Sequence, residues 1–151
     1  MHVVLHRPEI PGNTGSIMRL AANTGVTLHL VRPLGFDLSE ARLRRAGLDY
    51  REWADVTVWD DLDAALAVGG PVRALSARGT VRHDLVPWGP DDVLLFGPES
   101  TGLADEVLER PDVASAVRIP MQPGSRSLNL ANAVAVVVYE ALRHQGFPGL
   151  A

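Results

Sequence analysis

The chain has 151 residues, of which 46% are hydrophobic, so we expect one globular domain with a substantial core rather than a disordered chain. Cysteine is absent, which excludes disulfide bonds, thiolate metal sites and a cysteine nucleophile. The opening residues, MHVVLHRPEIP, hold too short an apolar run for a signal peptide, and no segment approaches the roughly 20 apolar residues of a membrane helix. We therefore expect a soluble, cytoplasmic protein with no membrane segment.

The net charge of −4 is distributed unevenly along the chain. Residues 1–51 hold seven Arg and four acidic residues, a net of +3. Residues 52–115 hold four Arg and thirteen acidic residues, a net of −9, and residues 116–151 hold three Arg and one acidic residue, a net of +2. If the two ends of the chain meet in the fold, they form a basic face suited to phosphate groups. All fourteen basic residues are Arg and none is Lys, which we attribute to composition bias rather than to phosphate binding.

Strand and helix patterns alternate along the chain. His2–His6 predicts a strand, and after a turn-rich loop Asn13 or Thr14 is expected to cap a helix that runs to about Asn23 and stops at Gly25. The other predicted elements are, in order, a strand Thr27–Val31, an Arg-rich helix Ser39–Ala46, a strand Thr57–Trp59, a helix Leu62–Val68, strands Val72–Leu75 and Val93–Phe96, a helical segment Ala104–Glu109, a strand Ala116–Ile119 and a helix Asn129–Arg143. This alternation predicts a single α/β domain spanning 1–151, with a mostly parallel sheet and helices on both faces.

Three loops that follow predicted strands are rich in small and polar residues: Arg7–Ser16, Gly97–Gly102 and Pro120–Asn129. In open α/β sheets, ligands bind beyond the carboxyl ends of the strands. The three loops are therefore expected to form one site.

The first loop contains Asn13-Thr14-Gly15-Ser16-Ile17-Met18-Arg19, which opens a helix. Exposed N–H groups at a helix start attract anions, and Arg19 lies one to two turns further along. An ordinary helix cap followed by a surface arginine explains this motif at least as well when it is taken alone.

The second loop contains Phe96-Gly97-Pro98-Glu99-Ser100-Thr101-Gly102-Leu103. Gly97, directly after a strand, permits close approach of a ligand to the backbone. Glu99 either faces the site or simply lies near the positive end of the next helix.

The third loop is the most polar, with Ser125, Arg126, Ser127 and Asn129 ahead of an Ala- and Val-rich helix. Five polar or charged residues fall near one stripe of that helix at helical spacing: Asn129, Asn132, Tyr139, Glu140 and Arg143. A helix that is apolar on its other sides is buried in the core or in a subunit interface.

Several common signatures are missing. There is no Gly-x-Gly-x-x-Gly or Gly-x-Ser-x-Gly motif, and the five His residues lack metal-ligand spacing. The arginines Arg42, Arg44 and Arg45 form a basic patch that a solvated helix face would also explain.

Taken together, the three motifs resemble those of the SPOUT (trefoil-knot) RNA methyltransferases, in the same order. The matching segments are Asn13–Ile17 with Arg19, Leu95–Leu103, and Ile119–Met121 followed by Ser127–Val134. The likeness extends to Pro8–Pro11, Arg42–Tyr50 and the ending Gly146–Gly149, and it is greatest to the minimal subfamily that methylates the wobble-nucleotide 2′-oxygen of certain leucine tRNAs. Ser16 stands where the family commonly has Asn.

The resemblance implies a C-terminal trefoil knot, a homodimer, S-adenosylmethionine as methyl donor without a metal, and tRNA as substrate. Transferred residue by residue, the expected cofactor contacts are Leu75, Gly97, Ile119, Ser127 and Leu128. The expected catalytic residues are Arg19, Tyr139, Asn13, Glu99 and Asn132, and the expected tRNA phosphate contacts are Arg7, Arg42, Arg44, Arg45 and Arg126. Alternatives are 2′-O-methylation of rRNA or of another tRNA position, a catalytically silent RNA-binding protein on the same scaffold, or an unrelated nucleotide-binding protein.

Overall fold

Seven parallel strands form one sheet in the computed structural model, which describes residues 1–38 and 56–151. The strands are β1 His2–His6, β2 Thr27–Val31, β3 Val56–Trp59, β4 Val72–Leu75, β5 Val81–Arg82, β6 Val93–Phe96 and β7 Val113–Arg118. Their order across the sheet is β3-β2-β1-β6-β4-β7-β5, and every neighbouring pair is parallel. The α/β class is therefore confirmed.

Helices cover both faces of this sheet. They are α1 Pro11–Thr24, α2 Leu62–Leu66, α3 Asp105–Leu108 and α4 Leu130–His144, with a 3₁₀ turn at His83–Leu85. On β1, Val3 and Leu5 pack in the core under α1 and α4, whereas Val4 packs in the core on the side of α2 and α3. Because the central strands are buried on both faces, their sequences are continuous apolar runs rather than alternating ones. No helix in the described part of the chain is long and apolar enough to cross a bilayer.

The last helix, α4, contains four valines between residues 134 and 138, of which Val134, Val137 and Val138 are buried in the core, and both of its ends are capped. The side chain of Asn129 accepts a hydrogen bond from the backbone N–H of Asn132 at 3.2 Å. At the other end Gly146 has φ +77°, and the N–H groups of Gly146 and Phe147 donate to the carbonyls of Arg143 and Leu142. This pair of hydrogen bonds is a Schellman cap, and glycine is the residue that adopts its left-handed conformation at least cost.

The first helix begins earlier than the sequence predicted, so the capping role given to Asn13 or Thr14 is wrong. Helix α1 starts at Pro11, with Ile10 in the capping position and Gly25, at φ +72°, ending it as expected. Proline suits the first helical position because it has no N–H to satisfy. The Asn13 side chain is thereby released for contacts outside the helix.

Other boundaries moved by a few residues, and one strand was missed. The two-residue strand β5 pairs only with β7, and so short a segment carries no periodicity. Strand β7 begins at Val113, three residues before its predicted start, and α2 ends at Leu66. The predicted Arg-rich helix Ser39–Ala46 lies outside the described residues.

Two glycines mark places where backbone segments touch. A Cβ at Gly79 would lie 2.4 Å from the carbonyl carbon of Val117, and one at Gly97 would lie 2.4 Å from that of Gly102. Only glycine permits such approaches. The loops after β4 and β6 are therefore packed tightly.

A histidine on β2 is enclosed in the core with its hydrogen bonds satisfied. His29 Nδ1 accepts from the indole N–H of Trp59 at 3.0 Å, so its Nε2 carries the proton and donates to His2 Nδ1 at 3.1 Å. Burial, with a smaller contribution from His2, lowers the pKa of His29 to about 4. His29 is therefore a buried core residue with both ring nitrogens hydrogen-bonded.

Candidate active site

The carboxyl ends of β4, β6 and β7 open into one cavity of about 560 Å³, a size typical of small-molecule sites. All five residues expected to contact a cofactor line it: Leu75, Gly97, Ile119, Ser127 and Leu128. Leu75 and Gly97 come directly from strand ends, whereas Ser127 and Leu128 come from the polar loop before α4. The sequence argument that strand-end loops converge on one site is supported by this geometry.

The cavity has an apolar floor and a polar rim. Leu75, Phe96 and Val117 are buried beneath it, whereas Ser127 and Arg126 are exposed. Arg126 was expected to contact tRNA phosphates, and the structure places it at this rim. An apolar floor with a few polar groups suits a ligand that has both a flat ring and charged substituents.

Arg78, in the loop after β4, is a cavity residue that the sequence reasoning missed. Its guanidinium donates to the Leu103 carbonyl at 2.7 Å and pairs with Asp105, so it bridges the loops after β4 and β6. The signal was available, because Ser-Ala-Arg-Gly follows a predicted buried strand, as the other site loops do.

A hydrogen-bonded chain of polar side chains joins the three motifs. Asn13 Nδ2 donates to Glu99 Oε1 at 3.1 Å, and Asn129 Nδ2 donates to Asn13 Oδ1 at 2.9 Å. Each of the three residues comes from a different motif, and all three line the cavity. Asn13 is buried and far from the other two in sequence, so this arrangement is a property of the fold and not of any one loop.

Both carboxylate oxygens of Glu99 are occupied. Oε1 accepts from the backbone N–H of Ile10 at 3.1 Å as well as from Asn13, and Oε2 accepts from the backbone N–H of Glu9 at 2.7 Å. A carboxylate that accepts two hydrogen bonds from the loop before α1 and one from Asn13 inside α1 is well placed to hold that loop and poorly placed to take a proton from a substrate.

Arg19 and Asn132 line a second, more open depression between α1 and α4. Asn129 borders both this depression and the cavity, so it separates them. Ser16 also lines the depression, but its hydroxyl donates to the Gly12 carbonyl at 3.0 Å within the helix. The structure thus divides the expected catalytic residues into two groups.

Tyr139 joins neither group in the described residues. It is 47% exposed and lies seven residues after Asn132 on α4, on the same helix face and about 10 Å further along. The exposed face also includes Val136 and Arg143, whereas Glu140 is largely covered and accepts hydrogen bonds from Arg143. The predicted stripe is therefore real for Asn132, Tyr139 and Arg143, and Glu140 lies beside it.

The two basic ends of the chain meet, because α1 packs against α4. Arg7 is exposed at the end of β1 and has φ +54°, a left-handed conformation uncommon outside glycine. The remaining expected phosphate contacts, Arg42, Arg44 and Arg45, lie outside the described residues. Over 1–38 and 56–151, no group of three His, Asp or Glu residues is placed to hold a metal ion.

The sequence of this chain is similar to those of known RNA methyltransferases. The sequence profile of the SpoU rRNA methylase family matches residues 1–139. A tRNA (cytidine(34)-2′-O)-methyltransferase of Saccharophagus degradans is 53% identical over 150 residues, which cover 98% of this chain and 97% of that protein.

Solved structures give the same result. One concerned with 2-OH methylation of C/U34 on tRNA matches with a TM-score of 0.88 and 47% identity, over 96% of this chain and 95% of that one. An AdoMet-bound rRNA methyltransferase from Sinorhizobium meliloti matches with a TM-score of 0.79 and 30% identity, over 95% of this chain and 56% of that longer one.

Proposed function

Since this chain belongs to the SpoU rRNA methylase family, we propose that it transfers a methyl group from S-adenosylmethionine (AdoMet) to the ribose 2′-oxygen of nucleotide 34 in tRNA. The observation that carries the proposal is the cavity at the strand ends, where the Asn13–Glu99–Asn129 chain joins all three motifs at one ligand-sized space. Relatives of almost the same length with this activity support it.

The cavity residues fit the donor. Leu75 and Ile119 offer aliphatic walls to an adenine ring, Gly97 allows close approach to the backbone, and Ser127 and Leu128 come from the loop that borders the rim. When bound, the donor supplies an electrophilic sulfonium methyl group, whose bond to sulfur breaks as the bond to the 2′-oxygen forms and the hydroxyl proton leaves to solvent.

Two tasks are left to the side chains: orientation and charge stabilisation. Orienting donor and acceptor can contribute about 7–11 kcal/mol to catalysis. We assign orientation to Asn13, Glu99 and Asn132. Arg19 stabilises the developing negative charge on the 2′-oxygen, because an arginine remains protonated and is a poor general base.

A homodimer explains where Arg19 acts. Within one chain, Asn129 lies between the Arg19 depression and the cavity. The exposed side chains of Val136 and Tyr139 lie further along α4, on the helix face that carries Asn132, and suit burial against a second copy. We infer that Arg19 reaches the acceptor ribose at the cavity of the partner subunit, with Tyr139 placing that ribose at the interface.

For the substrate, we propose leucine tRNAs with cytidine or uridine at position 34. The proposal rests on the likeness to the minimal wobble-position subfamily and on relatives named for cytidine 34. Arg7, Arg126 and the arginines Arg42, Arg44 and Arg45 supply phosphate contacts, and in this proposal no separate RNA-binding domain is needed.

The test is methyl transfer from labelled AdoMet to leucine tRNA transcripts that differ only at position 34, with a 2′-deoxy nucleotide there as control. Transfer to C34 and U34, with none to the deoxy control, is the expected result. Transfer that survives the deoxy substitution, or maps to another position or to rRNA, contradicts the proposal. The SpoU family is named for rRNA, so rRNA fragments belong in the same assay. Because phosphate contacts release counterions, tRNA affinity must also fall with added salt.

A further inference from the structure

Two glutamates cross-link the loop after β1 to the loop after β6 in both directions. The Glu9 carboxylate accepts from the backbone N–H of Ser100 at 2.8 Å and from the Ser100 hydroxyl at 2.7 Å. In return, Glu99 accepts from the backbone N–H groups of Glu9 and Ile10. Each loop's carboxylate therefore binds the other loop's backbone, across 90 residues of sequence.

Glu9 also contacts a third loop. The N–H of Gly35 donates to the Pro8 carbonyl at 2.9 Å, and a Cβ at Gly35 would lie 2.7 Å from the Glu9 Cα. From Gly35 the sequence runs seven residues to Arg42, the first of the arginines proposed for tRNA. Glu9 thus touches both the loop that walls the cavity and the loop that leads into the arginine-rich segment.

The charge of Glu9 is unfavourable for RNA binding taken alone. The residue is exposed two positions after Arg7, a proposed phosphate contact, where a carboxylate repels phosphate. A side chain that costs RNA affinity at this position needs a compensating role, and its two hydrogen bonds to Ser100 supply one. Glutamine could make the same pair of contacts, accepting from the N–H and donating to the hydroxyl.

We propose that Glu9 is a positioning residue that couples cofactor binding to tRNA binding. The inference rests on the proposed function. Cofactor orders the 97–102 loop and tRNA orders the 7–10 segment. Because each segment is bonded to the carboxylate of the other, ordering one lowers the cost of ordering the second. By linkage, each ligand then raises the affinity for the other by the same factor.

The experiment measures S-adenosylhomocysteine affinity by calorimetry with and without the tRNA transcript. Wild type, Glu9→Ala and Glu9→Gln are compared, with Glu109→Ala as a control that removes an exposed carboxylate elsewhere. We expect tRNA to tighten S-adenosylhomocysteine binding to the wild type by a factor of about 5–150, the usual range for coupled sites. In Glu9→Ala this factor falls well below the wild-type value, and the Glu99 bonds to the 9–10 backbone retain the remainder. Each ligand alone binds within about twofold of wild type, which is below the range of the coupling factor. Glu9→Gln and Glu109→Ala retain the factor.

Three outcomes overturn the inference: no coupling in the wild type, full coupling in Glu9→Ala, or a loss in Glu9→Gln equal to that in Glu9→Ala. If Glu9→Ala does not fold, Ser100→Ala takes its place, because it removes one of the two donors to Glu9. Its coupling factor must then be smaller than that of the wild type, and an unchanged factor contradicts the inference. A wild type that binds no S-adenosylhomocysteine and methylates no tRNA contradicts the proposed function itself, so the two failures are distinguishable.

Discussion

Replacing Glu99 by Gln tests whether this carboxylate positions loops or takes a proton. Glutamine has one acceptor oxygen, and in either orientation its NH₂ group faces a donor, at the Glu9 N–H or at Ile10 and Asn13. Losing one hydrogen bond to a charged group costs about 1.5–3 kcal/mol. Because these hydrogen bonds stabilise the loop that forms one wall of the cavity, we expect S-adenosylhomocysteine affinity to fall by about tenfold or more.

The methyl-transfer rate at saturating AdoMet and tRNA separates the two roles. If Glu99 is positional, this rate falls by much less than the loss of a general base would cause, and its pH profile keeps the wild-type shape. If Glu99 were a general base, the rate would fall by about 10²–10⁴ and the profile would lose its acidic limb. Glu106→Gln, at an exposed position on α3, is the matched control. Unchanged affinity combined with a collapsed saturating rate would refute the positional role.

Three further outcomes follow from the structure. Arg19→Ala keeps S-adenosylhomocysteine affinity but loses methyl transfer. If Arg19 acts across a dimer, mixing this variant with subunits that cannot bind cofactor restores part of the activity, and no restoration contradicts action across a dimer. Gly97→Ala loses cofactor binding because its Cβ would meet the backbone of the same loop at 2.4 Å, whereas Gly12→Ala, with open space around its Cβ, serves as the control. The pKa of His29 lies near 4, below its ordinary 6.5, so its neutral form contributes stability above pH 6.5 that is lost as pH falls toward 4. Urea denaturation should show that the free energy of unfolding falls by about 3 kcal/mol over this range, and by less in Trp59→Phe, which lacks the donor to Nδ1.

The strands were predictable where local sequence decides them. Strands β1, β2, β4 and β6 occupy the predicted ranges because their apolar runs are buried on both sides of the sheet. The start of α1 was not predictable in the same way. Asn13 resembles a cap, but its amide bonds Glu99, and the N–H of the true capping residue, Ile10, also bonds Glu99. The deciding partner lies 86 to 89 residues away, beyond any local pattern.

The cavity residues were predictable from the resemblance and from the rule that ligands bind beyond the carboxyl ends of parallel strands. The same rule, applied to the loop after β4, would also have found Arg78. The expected catalytic residues were harder to place. Helical spacing puts Asn132 and Tyr139 on one face, but spacing cannot say what that face meets. The structure leaves this face exposed in the single chain, which is the physical reason for seeking a second copy there.

Asn129 shows why these residues divide into two groups. Its oxygen accepts from the N–H of Asn132 and so starts α4, while its nitrogen donates to Asn13 and so closes the cavity rim. A side chain engaged on both sides swings away only by uncapping the helix and by removing a hydrogen-bond partner from the buried Asn13. Arg19 therefore cannot gain access to its own cavity by displacing Asn129 at low cost. In the proposed homodimer, approach from a second subunit avoids that cost, and Asn129 is then the boundary between the cavity of one copy and the Arg19 of that copy's own chain.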